Sequence, residues 1–212
     1  TITTNVLGGT PGAVTINNTA TMTFTGGTLD TNRTTHVTPS TCAVVIEPNG
    51  NPSTFAYEHT ALPGETVVMP YTLTNYGNVT NSFSLETALS NNAFTPNLSL
   101  YLDANNNDVV DAGEVEVTRV DDVPSGSAVN LLLIVEVPND VALEGEVMVN
   151  IIGRCETDTT ITDDDNVSQV EVPNGGIKNL AKSSDPAMDT ILYPGAALSY
   201  FITFTTNGRD LS

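Results

Sequence analysis

The sequence has few basic residues and no long apolar run. Its 212 residues carry 25 acidic but only 6 basic side chains, a formal net charge of -19. This balance argues against nucleic acid as a partner, because phosphate binding needs clustered Lys and Arg. The longest apolar run, from Val129 to Val137, is interrupted by Asn130 and Glu136, and spanning a bilayer takes about 20 apolar residues. We therefore expect neither a nucleic-acid partner nor a membrane span.

Residues that serve catalysis are also scarce. Only His36 and His59 could act as bases at neutral pH, and neither belongs to a nucleophile or metal motif. Paired carboxylates are plentiful, but a glycosidase site would also need exposed aromatic residues to hold sugar, and tryptophan is absent. We predict that the protein is not an enzyme, that His36 lies in a Thr-rich strand and that His59 lies in a loop.

Cysteine occurs only twice, at Cys42 and Cys155. The two lie far apart, with no CxxC spacing and no His nearby, so they do not fit a zinc site. We predict a disulfide between them, with two buried free thiols as the alternative. The first five residues lack the basic and apolar regions of a signal peptide. If the protein is exported, we expect its numbering to begin after the cleavage site.

The sequence shows almost no helical periodicity. Its apolar and polar residues alternate instead with a period of two, as in β-strands. The segments that show it are Val14–Phe24, Val67–Leu73, Phe83–Leu89, Leu98–Leu102, Leu131–Val137, Val147–Ile151 and Leu198–Phe204. Strands of this length, separated by clusters of Gly, Pro and Asn, predict an all-β sandwich.

Turn-forming clusters divide the chain into three parts. Residues 1–40 hold a strand from Ala13 to Thr25, a Gly26-Gly27 turn and a second Thr-rich strand. Residues 41–172 carry eight or nine strand-like segments, enough for a complete domain. Residues 173–212 begin with a Pro-Asn-Gly-Gly hinge at 173–176. Two further strands follow, at 177–183 and 197–206, joined through Tyr193-Pro194-Gly195.

The two end segments are incomplete, because an isolated pair of strands is marginal in water. Each needs a partner, and together they approach the size of one small sandwich. The alternative is that the chain is an excerpt of a longer tandem array, cut within a domain. The apolar residues that we expect at the interface are Val14, Ile16, Ala20, Met22 and Phe24 at the N-terminus and Leu198, Tyr200, Ile202 and Phe204 at the C-terminus.

A strand that begins with Gly64-Glu65-Thr66-Val67 and ends with Asn75-Tyr76-Gly77-Asn78 resembles the hallmark strand of a bacterial and archaeal repeat family, domain of unknown function eleven. The C-terminal Pro194-Gly195-Ala196-Ala197 and Asn207-Gly208 resemble the start of a second copy, and Ile16–Phe24 is similar to a strand that closes such domains. The resemblance implies an immunoglobulin-like β-sandwich with flanking incomplete β segments and an extracellular location, in surface layers, adhesins, stalks or filaments. It implies no reaction.

The segment from Asp103 to Glu114 has the spacing of a twelve-residue calcium loop. It also resembles the calcium loops of surface-adhesin B-type repeats. Asp108 stands where Gly is usual and a positive φ is needed, which Asp tolerates better than most residues. An Asn-rich solvated turn is the alternative. The expected structural Ca²⁺ ligands are Asp103, Asn105, Asn107, Val109 through its carbonyl, Asp111 and Glu114.

A second acidic cluster comprises Glu156, Asp158 and the run Asp163–Asp165, near Cys155. Three consecutive aspartates repel one another unless cations or solvent screen them. A second, weaker calcium site is one interpretation, and a solvated loop is the one we favour.

These patterns predict a secreted structural subunit at the cell surface, a homopolymer stiffened by calcium. A strand from one copy would complete the open sheet of the next, and such a head-to-tail contact repeats into a filament or lattice. One alternative is a calcium-binding adhesin or stalk module that binds a surface glycan or host ligand. Another is a fragment of a longer surface-layer protein.

Overall fold

The protein is an all-β immunoglobulin-like β-sandwich with an incomplete β segment at each end, which confirms the predicted fold class. The computed structural model describes residues 5–7, 10–142, 144–173, 177–187 and 190–206. Within these residues there are 16 strands and no helix, and so no helix that could cross a membrane. Residues 174–176 of the predicted hinge lie outside the described residues.

The strands fall into three groups along the chain. The N-terminal group is β1 (Thr15–Asn18), β2 (Thr21–Phe24), β3 (Gly27–Asp30) and β4 (Thr34–Val37). The central group is β5 (Val44–Glu47), β6 (Glu58–Thr60), β7 (Thr66–Asn75), β8 (Asn81–Ser90), β9 (Asn97–Leu102), β10 (Arg119–Val123), β11 (Ala128–Glu136), β12 (Glu146–Cys155), β13 (Thr162–Asp163) and β14 (Ser168–Glu171). The C-terminal pair is β15 (Ile177–Asp185) and β16 (Ser199–Thr206).

The central strands form the two sheets of the sandwich. One sheet has the order β10-β8-β12-β14-β6, with β13 paired to β12, and the other has the order β5-β7-β11-β9. All these pairs are antiparallel except β14 with β6. The strands β6 and β13 are too short to show a period of two in the sequence. For this reason His59, which lies in β6, was wrongly predicted to lie in a loop.

Alternation along the long strands fills the space between the sheets. In β7, Met69, Tyr71 and Leu73 are buried, while the residues between them are partly exposed. The central strand β11 lies between β7 and β9 and is buried on both faces from Leu131 to Val135. Its continuous apolar run therefore reflects its central position and not a membrane segment.

A disulfide joins Cys42, just before β5 in one sheet, to Cys155, the last residue of β12 in the other. The Cα atoms lie 6.2 Å apart, and both residues belong to the hydrophobic core. The bond closes a loop with a sequence separation of 113. A cross-link over so long a loop stabilises the fold by restricting the unfolded chain.

The turn after β7 is held by the side chain of Asn75. This residue is fully buried, and its amide donates to the carbonyls of Val79 and Val123 at 2.9 and 2.8 Å. Its Oδ1 accepts the backbone N–H of Gly77 at 2.8 Å. A Cβ on Gly77 would lie 2.5 Å from the carbonyl oxygen of Thr41. The residues that carry the family resemblance therefore have a structural role in this protein.

Residues 14–38 form one long two-stranded ribbon, which we call the arm. β1 pairs with β4 at its base and β2 with β3 at its tip. The predicted single strand from Ala13 to Thr25 is interrupted at residues 19–20, where the cross-strand register shifts by one residue. Phe24 pairs with Gly27, so the tip loop is Thr25-Gly26 and not the predicted Gly26-Gly27.

The base of the arm is fixed to the sandwich through Asn78. The N–H of Gly12 donates to the Asn78 carbonyl at 2.8 Å. The Asn78 side chain accepts the N–H of Thr41 at 2.8 Å and donates to the carbonyl of Pro39 at 3.0 Å. A Cβ on Gly12 would lie 2.6 Å from Asn78 Oδ1. Both ends of the ribbon are thus held against the turn that follows β7.

The second ribbon, the C-terminal hairpin, pairs β15 with β16. Ser199 lies opposite Asp185, and Thr206 lies opposite Ile177, with a register shift between Lys178 and Ala181. In the described part of the chain, these strands pair only with each other.

The arm and the C-terminal hairpin leave the sandwich from opposite ends. β12 runs from Glu146 to Cys155, about 30 Å at about 3.3 Å per residue. Cys155 is bonded to Cys42 beside the base of the arm. Glu146, at the other end of the strand, pairs with Glu171, after which the chain leaves the sandwich. The sandwich therefore has an arm pole and a C-terminal pole.

Candidate functional site

The candidate metal loop, residues 103–114, follows the edge strand β9. The chain then returns beside that strand, where Tyr101 forms an isolated bridge with Glu116. The sequence on either side of the loop predicts strands over Leu98–Leu102 and Val115–Val120. The first is β9, whereas the second is a strand only from Arg119, where β10 begins in the other sheet. Between them, the bridge at Glu116 holds the chain beside β9.

Two carboxylates organise the loop from inside. Asp103 is buried, and its two oxygens accept the backbone N–H groups of Asn107 at 3.2 Å and Asp108 at 3.1 Å. Glu114 Oε1 accepts the N–H of Ala104 at 3.2 Å, and its Oε2 accepts a second backbone N–H at 2.9 Å. The backbone thus wraps around the first and last acids of the loop, and each carboxylate oxygen keeps a second lone pair.

The loop makes its sharp turn without glycine at the sixth position. Asp108 has a φ of 60°, and Asn106 has a φ of 56°. The prediction that Asp108 takes a positive φ is confirmed. The amide of Asn130 in β11 donates to Asn106 Oδ1 at 2.7 Å, which ties the turn to the sheet.

Asp111 accepts the side-chain amides of Asn105 at 2.8 Å and Asn107 at 2.7 Å. These hydrogen bonds lower the pKa of the Asp111 carboxyl below its usual value. Rotation of both amides by half a turn would bring each Oδ1 to the place of its NH₂ group. The same three side chains would then present only oxygens, the ligands that Ca²⁺ prefers.

The fit of the loop to calcium is therefore partial. Within the described ranges, no group of three or more His, Cys, Asp or Glu side chains is arranged to hold a metal ion. The six predicted ligand residues do lie in one loop, and its oxygens accept N–H groups in this arrangement. The chemistry of the donor set suits a hard cation, but the carboxylates do not converge on one point.

The second acidic cluster is divided in the structure. Asp158 accepts the N–H and the hydroxyl of Thr160 at 3.1 and 2.6 Å, and these bonds lower the pKa of its carboxyl. Glu156 forms an ion pair with Arg119 at 2.9 Å. These two acids belong to local structure on the surface.

Asp163 differs from its neighbours because it is partly buried. It accepts the N–H of Ile46 at 3.2 Å and the amide of Asn166 at 2.6 Å. Burial raises the pKa of Asp163, those two hydrogen bonds oppose the rise, and the nearby Asp165 adds to it. Asn166 is fully buried, and its Oδ1 has no partner among the described residues. This part of the cluster joins β13 to β5.

The tip of the arm exposes apolar side chains. Met22 is 62% exposed, and its cross-strand neighbour Leu29 is 58% exposed. Leu29 is absent from the predicted interface, although pairing the two strands across the tip would have revealed it. Near the base the pairing is polar, with His36 beside Ile16 and Thr34 beside Asn18. Of the predicted residues, Val14, Ala20, Met22 and Phe24 are exposed and Ile16 is half-buried.

The C-terminal hairpin also exposes an apolar face. Tyr200 is 59% and Ile202 is 64% exposed; Phe204 follows them at the next alternate position of β16, and Leu198 comes just before the strand. The ammonium of Lys182 lies 4.2 Å from the centroid of the Tyr200 ring. The predicted interface residues of the two termini thus lie on two separate ribbons, both open to solvent.

Beside this face lies a groove of about 590 Å³. Lys182, Leu198 and Tyr200 line it together with Leu192 from the connection between the two strands. The sequence had not singled out Leu192, because it stands outside the alternating pattern of β16.

Charge separates the sandwich from the ribbons. Residues 41–172 contain 21 of the 25 acidic and two of the 6 basic side chains. Residues 1–40 contain one of each sign, and residues 173–212 contain three of each. The whole net charge of -19 therefore lies on the sandwich, and both end segments are neutral.

No protein-family model matches the chain, and no curated protein matches it. Many solved structures are distantly similar, among them the following three. A family 123 glycoside hydrolase from Clostridium perfringens has 11% identity over 63% of this chain, with a TM-score of 0.40, and this chain covers 28% of its length.

The other two are AvmM, which catalyses macrocyclization in alchivemycin A biosynthesis, and the seventh PapD-like domain of human CEP192. AvmM has 10% identity over 64% of this chain and 90% of its own, with a TM-score of 0.38. The CEP192 domain has 12% identity over 62% and 86%, with a TM-score of 0.32. Similarity this distant carries no argument about function.

Proposed function

We propose that the protein is a structural subunit of an extracellular surface assembly, in which copies join head to tail through their terminal ribbons. The observation that supports the proposal is a pair of ribbons at opposite poles of the sandwich that, among the described residues, pair with no further strand. A two-stranded ribbon is marginal by itself, and each of these exposes large apolar side chains. A partner that covers these faces would therefore stabilise both.

Strand complementation is the proposed mode of joining. The edges of both ribbons offer unpaired backbone N–H and C=O groups that a strand from another copy can satisfy. A contact between two different surfaces of identical subunits repeats without closing, which gives a filament or a lattice.

An extracellular location is part of the proposal. The disulfide between Cys42 and Cys155 is typical of proteins that fold in oxidising compartments. The net charge of -19 would keep the sandwiches of neighbouring subunits soluble and apart.

Calcium is proposed as a structural ion in the loop at 103–114. Asp103, Asp111 and Glu114 would supply carboxylates, Asn105 and Asn107 would supply amide oxygens after rotation, and Val109 would supply its carbonyl. When bound, Ca²⁺ supplies positive charge that these oxygens share. The loop follows the edge strand β9 and is tied to the central strand β11 through Asn130, so a stiffer loop would hold these two strands together more firmly.

A second candidate function, a calcium-dependent adhesin or stalk module, is favoured by a groove of about 450 Å³ beside the same loop. Its lining includes Glu47, Tyr57, Thr72, Asp108 and Asn130. Hydrogen-bonding groups next to an aromatic ring suit a surface glycan or a host ligand. This function would require a monomer that binds through the groove.

Sedimentation velocity of the full chain over a wide concentration range, in millimolar calcium, tests the proposal. We expect species that grow with concentration and appear as filaments or sheets by negative-stain electron microscopy. A monomer at every concentration would contradict the assembly and would favour the adhesin module or a fragment of a longer surface-layer protein.

A further inference from the structure

We propose that the apolar face of the arm of one copy packs on the apolar face of the C-terminal hairpin of a second copy. Each joint of the assembly is then a small sandwich made of two ribbons from two chains. This inference rests on the proposed head-to-tail assembly. It adds that the apolar faces of the two ribbons meet, beside any pairing of their strand edges.

The two ribbons match in length. β1 and β2 together run from Thr15 to Phe24, and β15 and β16 have nine and eight residues, so each ribbon is about 30 Å long at about 3.3 Å per residue. Apolar side chains recur at alternate positions of β2 and of β16. Two such faces pack about 10 Å apart in a β-sandwich.

The groove on the C-terminal hairpin gives the joint a concave side. Its volume of about 590 Å³ lies within the range of about 300–1,000 Å³ for sites that bury a small molecule. The tip of the arm presents Met22 and Phe24, which are 62% and 48% exposed. We propose that the tip of the arm enters the groove of the hairpin, because the base of the arm is held on the sandwich through Gly12 and Asn78.

Charge determines where two copies can meet. The sandwich bears the whole net charge, so contacts between the sides of two sandwiches are repulsive. The end segments are neutral, and a joint between them desolvates little net charge. Two copies of this chain therefore approach one another with least repulsion at their ends.

The position of the poles favours contacts between copies over contacts within one chain. The arm begins at the end of β12 marked by Cys155, and the C-terminal segment leaves at the end marked by Glu146, about 30 Å away. Because the two ribbons are attached at opposite poles, the arm of one copy can meet the C-terminal hairpin of the next, and the same contact can repeat along a row of subunits.

Two charge-introducing variants of the full chain test this pairing. Met22→Asp disables the apolar face of the arm, and Ile202→Asp disables that of the C-terminal hairpin. The matched controls are Thr23→Asp and Thr203→Asp, which place the same charge on the opposite face of each ribbon. All four positions are exposed, and thermal unfolding of each variant checks that the sandwich is intact.

Sedimentation velocity of the variants, alone and mixed, gives the readout. We expect each disabled variant alone to be monomeric, because it lacks one of the two surfaces of every joint. An equimolar mixture should form 1:1 dimers that grow no further, through the intact C-terminal hairpin of Met22→Asp and the intact arm of Ile202→Asp. The two controls should assemble like the parent chain.

The outcomes separate this inference from the proposed function. If the parent chain assembles and both disabled variants assemble equally well, the proposed pairing is wrong, but the proposed structural role stands. Dimers formed by either disabled variant alone would mean that like ribbons pair with each other, which also overturns it. A monomeric parent chain would contradict the proposed function itself, and the pairing with it.

Discussion

The sandwich and the two ribbons differ in net charge and in the exposure of their large apolar side chains. The sandwich hides its large apolar side chains, with Leu131 and Leu133 at 0% exposure, and carries all of the net charge. The ribbons carry no net charge, yet they leave Met22 and Ile202 more than half exposed. The same alternation with a period of two thus has two outcomes. Where two sheets face each other, the apolar side chains are buried in a core. Where a ribbon has no second layer among the described residues, they stay exposed to solvent.

The alternation of apolar and polar residues is therefore enough to specify a strand. Whether the apolar face of a strand pair is buried depends on a second layer that covers it. A sheet needs a second layer to cover its apolar face. The sandwich supplies both of its own layers within residues 41–172, whereas each ribbon supplies one.

The largest expected effect on the sandwich comes from removing the disulfide. In the chain-entropy account, a loop of about 100 residues is worth about 4.7 kcal/mol. Cys42→Ala with Cys155→Ala should lower the free energy of unfolding by about 4–5 kcal/mol in urea titrations. A loss below about 1 kcal/mol would mean that the long loop is not the source of stability.

Truncating a leucine in the core should have the next largest effect. Leu133→Ala should cost about 2–5 kcal/mol, because it leaves a cavity between the sheets. The matched change on the ribbon, Ile202→Ala, removes an exposed side chain and should change the unfolding of the sandwich by less than about 0.5 kcal/mol. Equal losses in the two variants would show that the C-terminal hairpin belongs to the folding unit of the sandwich.

Calcium should raise the stability of the sandwich by a smaller amount. A ligand at one hundred times its Kd stabilises a protein by about 2.7 kcal/mol, which would appear as a Tm several degrees higher in calcium than in chelator. Asp111→Asn should abolish most of this difference, and Asp140→Asn, which removes the same charge at an exposed position, should preserve it. An unchanged Tm in the parent protein with and without chelator would contradict the site.

The smallest expected effect concerns the pH dependence of Asp163. Its raised pKa means that the folded state holds the proton more tightly than the unfolded chain. This contribution to stability is therefore complete below the unfolded pKa and is lost as the pH rises through the folded value. Asp165→Asn removes the like charge that adds to the rise, so it should increase the Tm slightly at pH 7 and leave it unchanged at pH 3. Asp164→Asn is the control for a change of charge alone, and an equal increase in that variant would contradict the specific coupling.

Much of the fold could be predicted because alternation and turn residues are local signals. The long strands of the sandwich, both ribbons and the positive φ of Asp108 all depend on residues close together in sequence. The interruption of the arm at residues 19–20 could not be predicted, because a register shift depends on which strand faces it.

Part of the candidate sites was also beyond sequence reasoning. The spacing of the calcium loop identified its oxygens, but not that the amides of Asn105 and Asn107 donate to Asp111. Likewise, the run of three aspartates gave no sign that Asp163 alone is partly buried, because its partner Ile46 lies in a distant strand.

Electron cryomicroscopy of the assembly formed by the full chain in millimolar calcium would show directly how the copies meet. We expect subunits in single file, with β12 running along the line of subunits and with one arm and one C-terminal hairpin packed together at every joint. Dispersed monomers, or an assembly joined through the sides of the sandwiches with the ribbons still exposed, would contradict it.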